Sequence, residues 1–254
     1  MFTTEYLDVF LLILVRITTF IYVAPFFSLR DVPQRVKVGF SLFFAIILYQ
    51  AVPVSAVRYQ TVIEYALLVV NEALLGLIIG FFTNISYYIL SFSGHFMDME
   101  IGFSMVNEFD PVSSIQTTIT SNFYTYLVML MMLVTNLHYY IITALADTFR
   151  IIPVGEVVIK PEIYLLMLKF TKDYFIIGFR IVLPVFAATL ILNSILAILA
   201  KIAPQMNMFV IGLQLKVLVG LSVLFLLVGF TPTVSDFIFQ EMIDMMKAAV
   251  NALS

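Results

Sequence analysis

The chain has 254 residues, 62% of them hydrophobic and 11% charged, with a net charge of −3, no cysteine and a mean hydropathy of +1.08. Soluble domains carry about 25% charged residues, so the composition is that of a membrane protein. The lack of cysteine excludes disulfides, thiolate catalysis and cysteine-ligated metal, and the absence of a basic run speaks against nucleic acid as a partner.

The N-terminus, MFTTEYLD, is acidic and runs straight into apolar sequence, so it does not read as a removable signal peptide. Six apolar runs follow, at roughly 7–29, 36–54, 62–92, 123–146, 174–202 and 208–230. A helix needs about 20 apolar residues to cross a bilayer. Read as one helix, the third run measures about 46 Å at 1.5 Å per residue, against about 30 Å of hydrocarbon. The fifth is nearly as long and holds Pro184, which removes a ladder donor and predicts a kink. Runs that overshoot the bilayer point to helices that pack on other protein. The expected fold is therefore an all-α membrane protein with about six long apolar segments.

Charges interrupt these runs at Arg16, Glu64, Glu72, Arg180 and Lys216. Each costs about 2.5–3.5 kcal/mol at the centre of a lipid-exposed helix, so Arg16, Glu72 and Arg180 are expected to be buried in protein. Asp8 and Arg16 share a helix face, as do Glu64 and Glu72. Gly76 and Gly80 form a GxxxG that permits close helix approach, and Gly212 and Gly220 share a face in the last long run.

Between the third and fourth runs lies Gly94–Asn122, which has no Lys or Arg, four acids (Asp98, Glu100, Glu108, Asp110), and Met97, Met99, Phe103, Met105 and Phe109. A solvated loop has no need of those apolar side chains, and long irregular segments are usually functional or disordered. The stretch reads as a packed, movable insert with Gly102 as a hinge, or as a surface linker with an amphipathic turn. Residues Asp147–Asp173 mix charges with Pro153, Gly155 and Pro161 and read as a solvated connection. After Pro232, Thr233 caps an amphipathic helix whose stripe is Val234, Ile238, Met242, Met245, Ala249 and Leu253.

Chemistry is nearly absent. His95 and His138 are too few for a metal site, there is no HExxH, GxSxG or P-loop pattern, and the chain reads as a non-enzyme without cofactor. One alternative is a secondary transporter in which Glu64, Glu72 and Arg180 form a coupling relay and Pro184 marks a broken helix.

The block Leu199-Ala-Lys-Ile-Ala-Pro-Gln-Met-Asn-Met-Phe-Val-Ile-Gly212, followed by Leu215-Lys216 and Gly220-Leu221, resembles the signature of the FliR family of type III secretion export gates. Arg16 with Ala24-Pro25-Phe26-Phe27 and Val32-Pro33, Gly102-Phe103-Ser104 before Asp110-Pro111, Asn136, His138, Asp147-Thr148-Phe149 and Pro153 extend the likeness over nearly the whole chain. Leu137 stands where the family often has Gly, and Gln214 where it often has Pro.

The resemblance implies a flagellar export-gate subunit in the bacterial inner membrane, at the flagellar basal body. It implies a FliP-like part (1–165) joined to a FliQ-like hairpin and C-terminal helix (166–254), assembled with FliP-like and FliQ-like subunits and wrapped by an FlhB-like one. Unfolded flagellar subunits would pass through, with loop 94–122 as the plug and Met97, Met99, Gly102, Phe103, Met105, Phe109 and Asp110 at its seal. Met suits a gasket because it is unbranched and adaptable. Pro204, Gln205, Asn207, Gly212 and Lys216 are the expected subunit contacts, and membrane lipid the surrounding solvent.

Overall fold

The computed structural model describes residues 4–25, 27, 32–51, 57, 59–103 and 118–253. Among them there are nine helices and no strand: α1 (Thr4–Val23), α2 (Gln34–Ala51), α3 (Val62–Thr83), α4 (Ile85–Ile101), α5 (Ile119–Val134), α6 (Leu137–Ile151), α7 (Ile163–Ile202), α8 (Met208–Val228) and α9 (Thr231–Ala252). Of these, α3, α7 and α8 are long and apolar enough to cross a membrane, and α5 with α6 adds a fourth span if that broken pair counts as one. The chain is an all-α membrane protein, and its described residues hold fewer simple spans than the six apolar runs.

The chain divides into two compact units. The first comprises residues 1–86, 133–171 and 239–254. Its centre is the pairing of α1 with α3. Val9, Leu12, Ile13, Ile17, Phe20 and Ile21 recur at three- and four-residue spacing and are buried to 2% exposure or less, facing Leu75, Ile79 and Phe82. The GxxxG sets the approach. A Cβ on Gly76 would land on the Thr19 hydroxyl and the Arg16 carbonyl, and one on Gly80 would lie 3.0 Å from the Phe20 carbonyl. Helix α2 packs antiparallel to α1 through Lys37, Ser41, Ala45 and Leu48, with Phe10 edge-on to Tyr49 and Lys37 Nζ 5.8 Å from the Tyr22 ring centre.

The second unit comprises residues 87–132 and 172–238. Here α4 and α5 meet backbone to backbone, since a Cβ on Gly94 would strike the main chain of Ser121. Phe92 of α4 lies among Tyr174, Phe175 and Phe179 of α7, at 5.0–5.4 Å between ring centres, and Gly178 leaves the room that the Phe92 ring fills. Only Gly212 and Gly220 of α8 are buried, against Leu196 and Ile101 respectively. The shared glycine face is the face that packs.

Several sequence expectations change. The third run is not one helix. Asn84 leaves the helical region (φ −83°, ψ 8°), closing α3 with its N–H on Gly80 and Phe81. Helix α4 then runs to Ile101, so the first eight residues of the expected insert are helical, and Gly102 ends the helix at φ +95° with its N–H on the Asp98 carbonyl. The connection shrinks to residues 152–162, because α6 extends to Ile151 and α7 starts at Ile163, and its first turn is packed rather than solvated, with Ile152 and Val154 buried. Helix α7 runs 40 residues with Pro184 inside it, so Pro184 does not mark the broken helix of the transporter alternative; one missing N–H does not outweigh the bonds on either side. Helix α9 begins at Thr231, with Pro232 accommodated in its first turn, and Ile238, Met242, Met245, Ala249 and Leu253 are buried.

The glycine contacts generate a paired prediction. Gly76→Ala forces α1 and α3 apart and should destabilise the detergent-purified chain by about 1–3 kcal/mol, as overpacking does. Gly39→Ala, in α2 with nothing within 4 Å, should raise stability by up to about 1 kcal/mol through helix propensity alone. Thermal unfolding followed by helical circular dichroism reads both signs.

Candidate functional site

The most heavily bonded polar group of the first unit is Arg16, which has no solvent exposure. Its Nε and Nη2 donate to the two carboxylate oxygens of Glu72 at 2.5 and 3.0 Å, a bidentate pair buried on both sides. Nη1 donates to the Ile152 carbonyl at 3.0 Å, and the guanidinium carbon lies 4.2 Å from the Phe149 ring centre. The Gly155 N–H donates to Glu72 Oε1 at 2.8 Å. Two helices and the turn after α6 thus close on one ion pair. The turn is built for it. Pro153-Val-Gly-Glu156 reverses direction with the Glu156 N–H on the Pro153 carbonyl, and Gly155 takes φ +84°, open to glycine without penalty.

In the second unit the buried acid is Asp98. It accepts the Thr120 backbone N–H at 3.2 and 3.3 Å, and the Thr120 hydroxyl on Oδ1. A side chain from α4 therefore caps the N-terminus of α5, where unpaired N–H groups and the helix dipole favour an anion. Burial pushes the Asp98 carboxyl above its ordinary value, while the Thr120 hydrogen bonds oppose that rise. Two residues on, Glu100 accepts the Thr189 hydroxyl of α7 at 3.0 Å.

The expected seal divides. Met97 lies on the buried stripe of α4 and packs inside the unit, Met99 is 65% exposed, and Gly102 and Phe103 are half-buried at the helix end. Met105, Phe109 and Asp110 fall outside the described residues. Of the expected subunit contacts, Pro204, Gln205 and Asn207 are exposed, Lys216 is half-buried and Gly212 buried. Asn207 is the N-cap of α8, its side chain accepting the Val210 N–H.

Arg180, expected to be buried, is exposed on the surface of its unit. Of the acids expected in the transporter relay, Glu72 pairs with Arg16, and Glu64 caps α3, accepting the Gln60 N–H while Thr61 accepts its own. Asp8, rather than pairing with Arg16, accepts the Tyr59 hydroxyl at 2.5 Å.

The model of the family described as bacterial export proteins, family 1, matches residues 7–242, from α1 into α9. The chain belongs to that family. It is similar along its length to flagellar biosynthetic protein FliR of Escherichia coli strain K12, 27% identical over 250 residues that cover 98% of this chain and 95% of that protein. FliR of Bacillus subtilis strain 168 is 29% identical over 241 residues, covering 94% and 93%. FliR of Aquifex aeolicus strain VF5 is 30% identical over 227 residues, covering 87% and 86%.

Within this export-family chain, two roles escaped the sequence. Asp98 read as an acid of a loop, although an acid four residues before a glycine in an apolar stretch is compatible with a helix end. Gly155 read only as a turn residue, and the Pro-x-Gly pattern was its one visible signal.

The ion pair makes a directional prediction. Arg16→Leu or Glu72→Leu alone leaves a buried charge unpaired and should cost about 3–5 kcal/mol, whereas the double Leu variant should recover much of that loss. Chemical unfolding of the four proteins measures the coupling. For Asp98 the sign follows from its raised folded value: between the ordinary carboxylate value of 3.8 and that raised value the folded form binds more protons, so stability falls as pH rises through the window. Asp98→Asn should flatten that slope, and a series of unfolding curves across acidic pH tests it.

Proposed function

We propose that this chain is a subunit of the flagellar protein export gate, built with FliP-like and FliQ-like subunits into a channel in the bacterial inner membrane at the flagellar basal body. Unfolded flagellar subunits are its cargo, and an FlhB-like subunit lies against the assembly. The observation that carries the reading is the similarity to flagellar FliR over 98% of the chain. The role is structural rather than catalytic. In this reading residues 1–165 are the FliP-like part and residues 166–254 the FliQ-like hairpin with its C-terminal helix.

The surface supports an assembly. Helix α8 leaves Leu218, Leu221, Phe225 and Leu226 exposed along one groove, and the turn from Pro204 to Asn207 presents an exposed Gln205. Lipid leaves such an amide unsatisfied, and a neighbouring subunit does not. An exposed Met99 and a half-buried Phe103 at the end of α4 leave apolar side chains for a seal, and a narrow apolar constriction blocks ions by dewetting. Met97 contributes packing instead.

Affinity purification in mild detergent from cells that express the flagellar export subunits is the test. The parent chain should emerge in a heteromeric complex; emergence alone or as a homo-oligomer sinks the reading. Gln205→Leu with Asn207→Leu should lower the yield of that complex several-fold and reduce motility. Deleting Phe103–Val106, just past the end of α4, should leave assembly intact but raise membrane conductance to small ions. A tight membrane around a correctly assembled deletion variant removes the plug from the proposal.

A further inference from the structure

Helix α7 has two faces within the second unit. Ile177, Gly178, Val182, Val185, Thr189 and Leu192 are buried. On that side the polar groups are satisfied within the chain, the Ser93 hydroxyl on the Gly178 carbonyl and Thr189 on Glu100. The opposite face carries Ile176, Leu183, Leu190 and Ile191, all exposed, and in their midst the exposed guanidinium of Arg180. Spacings of four, three and seven place Ile176, Arg180, Leu183 and Leu190 in one row. Arg180 makes no hydrogen bond or ion pair among the described residues. Pro184, one turn on, has no N–H to give the Arg180 carbonyl. One level of an apolar face thus presents a fork of N–H donors and a carbonyl deprived of its helical donor.

We infer that this face of α7 docks a membrane helix of another subunit, one that presents an Asp or Glu carboxylate to Arg180. The inference rests on the assembly reading above and adds to it the surface and the chemistry of the partner. The planar guanidinium matches a carboxylate bidentately, and the flanking Ile and Leu side chains exclude the water that would screen the pair. The chain already uses this solution once, where Glu72 meets Arg16. Along the helix axis Arg180 lies about 10 Å from Asp173 and about 32 Å from Lys201. A hydrocarbon layer between those charges takes in Arg180 or leaves it at the edge, where a long side chain snorkels. These are the two physical outcomes to separate.

The experiment uses the whole gate, co-expressed and purified in mild detergent, with the parent chain and with Arg180→Leu, Arg180→Lys and Arg180→Glu. The Leu and Glu variants should yield about tenfold less complex, the change expected for about 1.4 kcal/mol of lost pairing, and Lys should keep part of it. Motile revertants selected from Arg180→Glu should carry an acid-to-base change in a membrane helix of another subunit, a readout that misfolding does not produce. Full assembly of Arg180→Leu means that the charge snorkels, and overturns the inference. Revertants confined to this chain overturn it too. So does fast reaction of assembled Arg180→Cys with a charged thiol reagent, which would place the residue in water. If the parent chain assembles and Arg180→Leu does so equally well, only this inference fails. If the parent chain purifies without other subunits, the proposed function fails with it.

Discussion

The first unit closes around one buried contact that must be satisfied, the bidentate pair between Arg16 and Glu72. Two fully buried charges in an apolar interior would each cost several kcal/mol if left alone, so the surrounding chain must satisfy the pair. It does so with backbone. The Ile152 carbonyl takes the third guanidinium donor, and the Gly155 N–H occupies a carboxylate oxygen. Phe149 covers the guanidinium face. Each partner constrains the next. The turn can reach the carboxylate because Gly155 adopts φ +84°, and the pair can close because Gly76 lets α3 lie directly on the backbone of α1 at Arg16. Glycine packing and charge pairing are parts of one arrangement. A larger residue at position 76 acts on the ion pair as much as on the helix contact.

How much of this was legible in the sequence follows from the range of each interaction. Local signals carried well. The apolar runs, the GxxxG, the glycine face of α8 and the amphipathic stripe of α9 all depend on spacing within one helix, and periodicity detects spacing. Arg16 and Glu72 stood out separately as costly charges, but their pairing spans 56 residues. The faces that periodicity offered instead, Asp8 with Arg16 and Glu64 with Glu72, were same-helix neighbours whose side chains found other partners. The helix ends were harder still. Asn84 registered only as a polar residue in an apolar run, because the backbone conformation with which it closes α3 leaves no mark in the sequence. The transporter alternative read a helix break at Pro184, yet α7 continues through it.

The acid-rich stretch shows the same limit from the other direction. Its composition predicted an insert, and composition alone does not distinguish a helix whose acids cap other elements from a loop that carries them. Asp98 and Glu100 are spent on Thr120 and Thr189. Met97 belongs to a row with Ile85, Ile89, Ser93 and Ile101, all within 2% of full burial. The four-residue spacing of that row was present in the sequence, but the polar residues between its members concealed it.

Burial then separates two kinds of polar residue in a chain this apolar. Arg16, Glu72, Asp98 and Thr189 are buried and bonded within the chain. Arg180 and Gln205 are exposed beside Ile, Leu and Met side chains that are exposed as well. Fold stability needs no exposed arginine among isoleucines, and lipid solvates that arginine poorly. A chain meant only for lipid would gain by replacing it with Leu, as α8 has done along Leu218, Leu221 and Leu226. Polar groups that the fold leaves unsatisfied on an apolar surface are therefore best explained by the surface that covers them. In the assembly proposed for this family chain, they are the groups that a neighbouring subunit would cover.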